Sequence, residues 1–210
     1  MSSIIDFSIL DQKRTKILHK IFENFPEGYL AGGTALALQI KHRYSYDFDI
    51  FISHEIEASD VKKLQSNFNI SLTEVNNQDQ LSIIGSDGIR ISLIHYYFPL
   101  ILPLIETGKI RLSSVKDIVA DKAYTIGRRA VWRDYVDIFF ILKNRILSLN
   151  EIINLTNQKY KTLFNDVLFL SQLSYFKDLQ IPRIDYIKDH FSDDEIKNLL
   201  TKKVAGVQIK

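Results

Sequence analysis

The stretch Asp47-Phe48-Asp49-Ile50-Phe51-Ile52 alternates so sharply that few folds accept it. On an extended strand, residues two apart share a face. Asp47 and Asp49 therefore project to one side, and Phe48, Ile50 and Ile52 to the other, where a core must receive them. Aspartate is disfavoured in strands. Two like charges at neighbouring same-face positions repel unless a cation or a basic side chain neutralises them. A solvated edge face, or pairing of one Asp with Arg43, would satisfy the pair. So would a bound Mg²⁺ ion, which takes one or two protein carboxylates alongside phosphate oxygens.

Upstream, Tyr29-Leu30-Ala31 reads as a short strand, Gly32-Gly33 as a turn, and "TALALQIKH" as a helix with Thr34 as its cap. Glycines let the backbone turn sharply and approach a ligand closely. The helix start presents free N–H groups and a partial positive charge, which suit a phosphate. An ordinary strand-to-helix turn would explain Gly-Gly-Thr taken alone. Strand, turn, helix and Asp-x-Asp strand together form one local unit, and its turn and carboxylates can converge on a nucleoside triphosphate and Mg²⁺.

Elsewhere in the first half, residues 10–25 and 58–68 carry helical spacing. "ISLTEV", "QLSIIG" and "GIRISLIHYY" read as strands, with "GSDG" at 85–88 as a hairpin turn. After Gly108 the period becomes helical, in "SSVKDIVADKAYTIGRR", "VWRDYVDIFFILKNR", "LNEIINLTNQKY" and "DDEIKNLLTKKV". The expectation is an α+β chain: a mixed sheet with helices over 1–110, then a helical bundle over 111–210 that closes an active-site cleft.

Composition narrows the class. The 27 basic and 25 acidic residues leave a net charge of +2, so bulk charge announces no nucleic-acid binder. The absence of cysteine removes disulfides, thiolate metal sites and cysteine nucleophiles together. Charged residues among the first thirty argue against a signal peptide, and apolar runs such as "IFFIL" fall far short of a membrane span. A soluble, cytoplasmic protein is expected.

In the second half, Lys122 shares a stripe with Val115, Ile118, Val119 and Ile126. It could reach the edge of that apolar face, or serve as a charge partner for a triphosphate. Asp137 lies within "YVDIFFIL" and needs a partner if buried; Arg133, one turn earlier, could supply it, which leaves Asp134 freer. His42 reads as exposed and Trp132 as a packing anchor between the halves; the basic run from Thr201 to Lys210 reads as a solvated tail.

"GGTALALQIKHRYSYDFDIFI" resembles the first motif of the polymerase-β-like nucleotidyltransferases, in the branch of AbiEii/AbiGii-type toxins. Arg43, Ser45, Asp47 and Asp49 match in order, and "DIVADKAYTIGRRAVWRDYVDIFFIL" is similar to the later Lys and Arg-Asp-x-x-Asp motifs. The resemblance implies nucleotide binding by Gly32, Gly33, Thr34, Arg43, Ser45 and Lys122, and Mg²⁺ held by Asp47 and Asp49. It implies catalytic roles for Asp47, Asp49, Lys122 and Asp134, with Arg133 and Asp137 supporting them. It further implies transfer of a nucleotide from an NTP to an acceptor such as a tRNA 3′ end or another RNA. The setting would be a toxin of a toxin–antitoxin or abortive-infection system, whose antitoxin is a transcriptional regulator. One departure stands out: Ser92 occupies the strand position where many relatives carry a third carboxylate. That departure keeps open a nucleotide-binding module without turnover. A protein-interaction module of the same fold is the third reading.

Overall fold

The computed structural model describes residues 5–207. The chain divides into two compact units. One runs to Phe98 and resumes over Pro103–Ser114; the other comprises Pro99–Leu102 and the chain from Val115 onward.

The first unit is built on a seven-stranded mixed sheet in the order β3-β4-β5-β2-β1-β7-β6. The strands are β1 (Tyr29–Ala31), β2 (Phe48–Ile52), β3 (Ile70–Asn76), β4 (Gln80–Gly85), β5 (Arg90–His95), β6 (Ile105–Thr107) and β7 (Ile110–Leu112). Strand β2 lies antiparallel to β1 and parallel to β5. Its alternation works as expected: Phe48, Ile50 and Ile52 are buried, and the residues between them are only partly covered. Each such side chain contributes about 1.5–3 kcal/mol when fully buried. The hairpin between β4 and β5 turns through Gly88 at φ +79°.

Three helices accompany the sheet: α1 (Gln12–Asn24), α2 (Gly32–Ile40) and α3 (Ala58–Asn67). Asp11 caps α1, accepting the Arg14 N–H at 2.7 Å. Helix α2 is buried from Thr34 through Gln39, as a helix apolar on every side must be. It ends at Lys41, whose φ of +52° closes the last turn. His42, next in sequence, is buried rather than exposed.

Three further local expectations change. Helix α2 starts at Gly32, so Thr34 sits inside the first turn instead of capping it. Asp47 falls just before β2. Strands β6 and β7, joined through Gly108 at φ +62°, extend the sheet beyond the strands the sequence indicates.

The second unit contains α4 (Val115–Ile126), α5 (Trp132–Lys143), α6 (Leu149–Tyr160), α7 (Asp166–Leu173) and α8 (Asp193–Ala205). Serine–glutamate capping boxes start α6 at Ser148 and α8 at Ser192. Trp132 packs against Tyr135 and Phe176, both within this unit. The basic C-terminal run is helical through Ala205, and 208–210 lie outside the described residues. No helix among the described residues is long and apolar enough to cross a membrane.

A buried ion cluster ties α4 to α6. Lys159 Nζ lies 2.6 Å from Asp121 Oδ1 and 3.2 Å from Asp117 Oδ1, and both Lys159 and Asp117 are buried. Asp117 also accepts the backbone N–H of Ile101 at 2.7 Å and of Leu102 at 3.2 Å. Tyr160 donates its hydroxyl to Asp121 at 2.9 Å. Breaking a buried pair by removing one partner costs about 3–5 kcal/mol, because a charge is left uncompensated. Lys159→Met is therefore expected to lower unfolding stability by about that much. Urea denaturation checks it, and a loss under about 1 kcal/mol would show that the cluster contributes nothing special.

Candidate functional site

The local fold of the first unit brings the Gly-Gly turn against the aspartate pair. Antiparallel pairing of β1 and β2 sets Ala31 opposite Asp49. The next residue, Gly32, turns away at φ +65°. A Cβ at Gly32 would fall 2.2 Å from Asp49 Oδ2. A Cβ at Gly33 would fall 2.7 Å from Arg43 Nη2 and 3.1 Å from Ser45 Oγ. At Gly32 the backbone angle adds a second reason for glycine, whereas at Gly33 the neighbours are side-chain ends.

Thr34 fixes the return strand. Its hydroxyl lies 2.9 Å from Ser45 Oγ and also reaches the Asp47 carbonyl. The N-cap residue Ala31 offers no side-chain acceptor to the first turn of α2. Free backbone donors at a helix start suit an anion. Arg43 is buried, with Nη1 donating to the Tyr44 carbonyl at 3.1 Å. One corner of the first unit therefore holds Gly32, Gly33, Thr34, Arg43, Ser45 and Asp49, with Asp47 next to them.

Parallel pairing of β2 with β5 sets Asp49 opposite Ser92. Ser92 is buried, and its hydroxyl lies 2.9 Å from that of Ser82, to which Gln80 Nε2 donates at 2.7 Å. A neutral hydroxyl chain thus fills the position facing Asp49. Two residues earlier on β5, Arg90 Nη1 lies 3.8 Å from Asp47 Oδ2. Arg90 is gripped by Glu74 through Nε at 2.6 Å and Nη2 at 2.8 Å. That grip, with the charges of Asp47 and Asp49 beside it, raises the guanidinium pKa above its ordinary value. The same hydrogen bonding holds the Glu74 carboxyl below its usual range.

Arg90 and Glu74 are not among the residues that sequence motifs single out. Arg90 had a signal, since it stands two residues before Ser92 on the same strand face. Glu74 had none: the β3–β4 register shifts between Thr73 and Val75, and Glu74 sits at that irregularity. Bulges commonly re-aim a side chain in this way.

The second unit holds its own cluster. Lys122 Nζ lies 2.7 Å from Asp134 Oδ1 and 2.6 Å from Asp137 Oδ2. Asp137 is fully buried, Lys122 nearly so, and Arg133 is exposed on α5. Asp137 thus has an ion partner on α4, Lys122, which the sequence spacing did not indicate. Asp134, expected to be the freer acid, also clasps Lys122. Burial, with the Asp134 charge nearby, pushes the Tyr135 hydroxyl up to about 12. Among the described residues no group of three or more acidic or histidine side chains could hold a metal. Cation binding at Asp47 and Asp49 would therefore leave most ligand positions to phosphate and water, as Mg²⁺ tolerates.

A family profile described as the nucleotidyl transferase AbiEii toxin of a type IV toxin–antitoxin system matches residues 68–206. The match takes in Arg90, Lys122, Arg133, Asp134 and Asp137, and begins beyond Asp49. The uncharacterized protein aq_aa25 of Aquifex aeolicus (strain VF5) is 28% identical over 180 residues, covering 84% of this chain and 85% of that protein. The nucleotidyltransferase toxin MenT4 of Mycobacterium tuberculosis H37Rv superposes with a TM-score of 0.60 at 13% identity, covering 90% of this chain and 83% of its own. A candidate nucleotidyltransferase from H. pylori gives a TM-score of 0.56 at 15% identity, covering 93% and 95%. At those identities the two superpositions establish a shared fold, the mixed sheet with following helices expected from the sequence. With the profile matching well over half of its length, the chain belongs to the nucleotidyl transferase AbiEii toxin family of type IV toxin–antitoxin systems and is a nucleotidyltransferase.

Proposed function

We propose that the chain transfers a nucleoside monophosphate from an NTP to an acceptor hydroxyl, with Mg²⁺ held by Asp47 and Asp49. The observation that carries this reading is the contact between turn and carboxylate, where a Cβ at Gly32 would strike Asp49 Oδ2 at 2.2 Å. Phosphate donors and cation ligands thus meet at one point. Backbone N–H groups of the Gly32-Gly33 turn and of the first turn of α2 bind the triphosphate, with Arg43 and Ser45 beside them. Bound Mg²⁺ would neutralise phosphate charge and polarise the reacting phosphorus. The acceptor oxygen bonds to the α-phosphorus, the bond from that phosphorus to the bridging oxygen breaks, and pyrophosphate leaves with the electron pair. Lys122 and Asp134 are proposed as the helical unit's contribution to transfer, with Asp134 receiving the acceptor's proton. Arg133 and Asp137 support them.

The finer parts of this reading are a tRNA 3′ end as acceptor, a cytoplasmic setting, and a cognate antitoxin that is a transcriptional regulator. Family membership supports a toxin and its antitoxin. A second reading, nucleotide binding without turnover, draws on the uncharged Ser92 opposite Asp49.

Incubation with each labelled NTP, Mg²⁺ and total tRNA is expected to label RNA. Asp49→Asn should lower the rate by a hundredfold or more, on the order of the several kcal/mol that metal-held charge supplies. Folded wild-type protein that transfers none of the four nucleotides would sink the transfer reading and favour the second. Gly32→Ala should cost about 1–2 kcal/mol of stability from the left-handed backbone. It should also abolish Mg²⁺-dependent nucleotide binding by displacing Asp49. Calorimetry that finds wild-type nucleotide affinity in Gly32→Ala would contradict this placement of the phosphates.

A further inference from the structure

We propose that Arg90 is a phosphate ligand of the nucleotide, supplying from β5 the positive charge that a carboxylate on that strand would instead recruit as a metal ion. The inference rests on the reading of Asp47 and Asp49 given above.

Register, chemistry and geometry each support it. The β2–β5 register places Ser92 beside Asp49, and Arg90 reaches toward Asp47 from the same strand. Ser92 is engaged in a neutral chain with Ser82 and Gln80, so β5 offers no anionic ligand to a second cation. A divalent ion there would also face a guanidinium that is never deprotonated. Glu74 takes Nε and Nη2, which fixes the plane of the guanidinium and leaves Nη1 directed at Asp47. At 3.8 Å, Nη1 is close enough for charge attraction and too far for a hydrogen bond. Nη1 is therefore oriented while its hydrogen-bonding capacity toward Asp47 stays unspent, and guanidinium geometry suits phosphate oxygens.

The test separates a phosphate ligand from a residue that merely holds Asp47 in place. Affinity for a nonhydrolysable NTP is measured by ³¹P NMR titration in EDTA and again in Mg²⁺. Without metal, Asp47 gives the nucleotide no attraction that its misplacement could remove, and Arg90→Lys, which keeps the charge beside Asp47, separates direct contact from neutralisation of that carboxylate. Arg90→Met is expected to weaken binding about tenfold or more under both conditions, the size of one charge-assisted hydrogen bond. Arg90→Lys should recover part of that loss. Glu74→Gln, which frees the guanidinium without removing it, should give a smaller loss. Electron paramagnetic resonance should count one Mn²⁺ per nucleotide complex. A loss confined to Mg²⁺, unchanged affinity in Arg90→Met, or two Mn²⁺ ions per complex would each overturn the proposal while leaving the Asp47–Asp49 site standing. Wild-type protein that binds no nucleotide in Mg²⁺ would remove both. Should Arg90→Met fail to fold, the Arg90→Lys and Glu74→Gln titrations decide between the same two roles: weaker binding in EDTA supports a phosphate ligand, and wild-type affinity in both variants overturns it.

Discussion

Everything around the proposed site depends on how closely one stretch of backbone passes a carboxylate. The β1–β2 pairing puts Ala31 across from Asp49, and the chain must then leave the sheet within one residue to start α2. The space it turns through is already occupied by Asp49 Oδ2. That single constraint dictates glycine at 32 and makes α2 begin flush with the end of the strand. It also places the helix's unsatisfied donors next to the site's negative charge. Gly33 then passes close to the side-chain ends of Arg43 and Ser45. Thr34 then fastens the returning segment by its hydroxyl rather than capping its own helix.

The two units each set cations between pairs of acids, partly exposed in the sheet unit and largely buried in the helical one. In the sheet unit, Arg90 stands between Glu74 and Asp47. In the helical unit, Lys122 lies between Asp134 and Asp137, and Lys159 between Asp121 and Asp117. In each case one cation spans two carboxylates carried on different elements or on successive turns. In the helical unit the cation also offsets the desolvation of Asp117 and Asp137, which would be costly if left alone.

Local periodicity carried much of this fold, and tertiary context carried the rest. The Asp-x-Asp strand, the β4–β5 hairpin and the helices α6 and α8 follow from alternation, turn residues and helical period. Strands β6 and β7 escape such reading because three residues are too few for a period, and they exist by pairing with each other and with β1. Helix α7, at eight residues, is similarly short. At the candidate site, the convergence of turn and carboxylates was legible, as was the uncharged residue at 92. The pairing of Asp137 with Lys122 was not, because Lys122 arrives from another helix. Glu74 was invisible for a different reason: an irregularity in strand register leaves no mark in the sequence.

The short segment Pro99–Leu102 has a consequence for how this chain can be taken apart. It belongs with the helices, held by Asp117 through the Ile101 and Leu102 amides, although the residues on both sides of it belong with the sheet. The polypeptide thus passes from one unit to the other after Phe98, after Leu102 and after Ser114. No single cut yields either unit whole. A fragment ending near Ser114 keeps the segment but loses its anchor, and a fragment beginning at Val115 keeps the anchor with nothing to hold. The two units are severable on paper and interlaced in the chain, so duplication, swapping or fusion of one without the other would need a redesigned crossing.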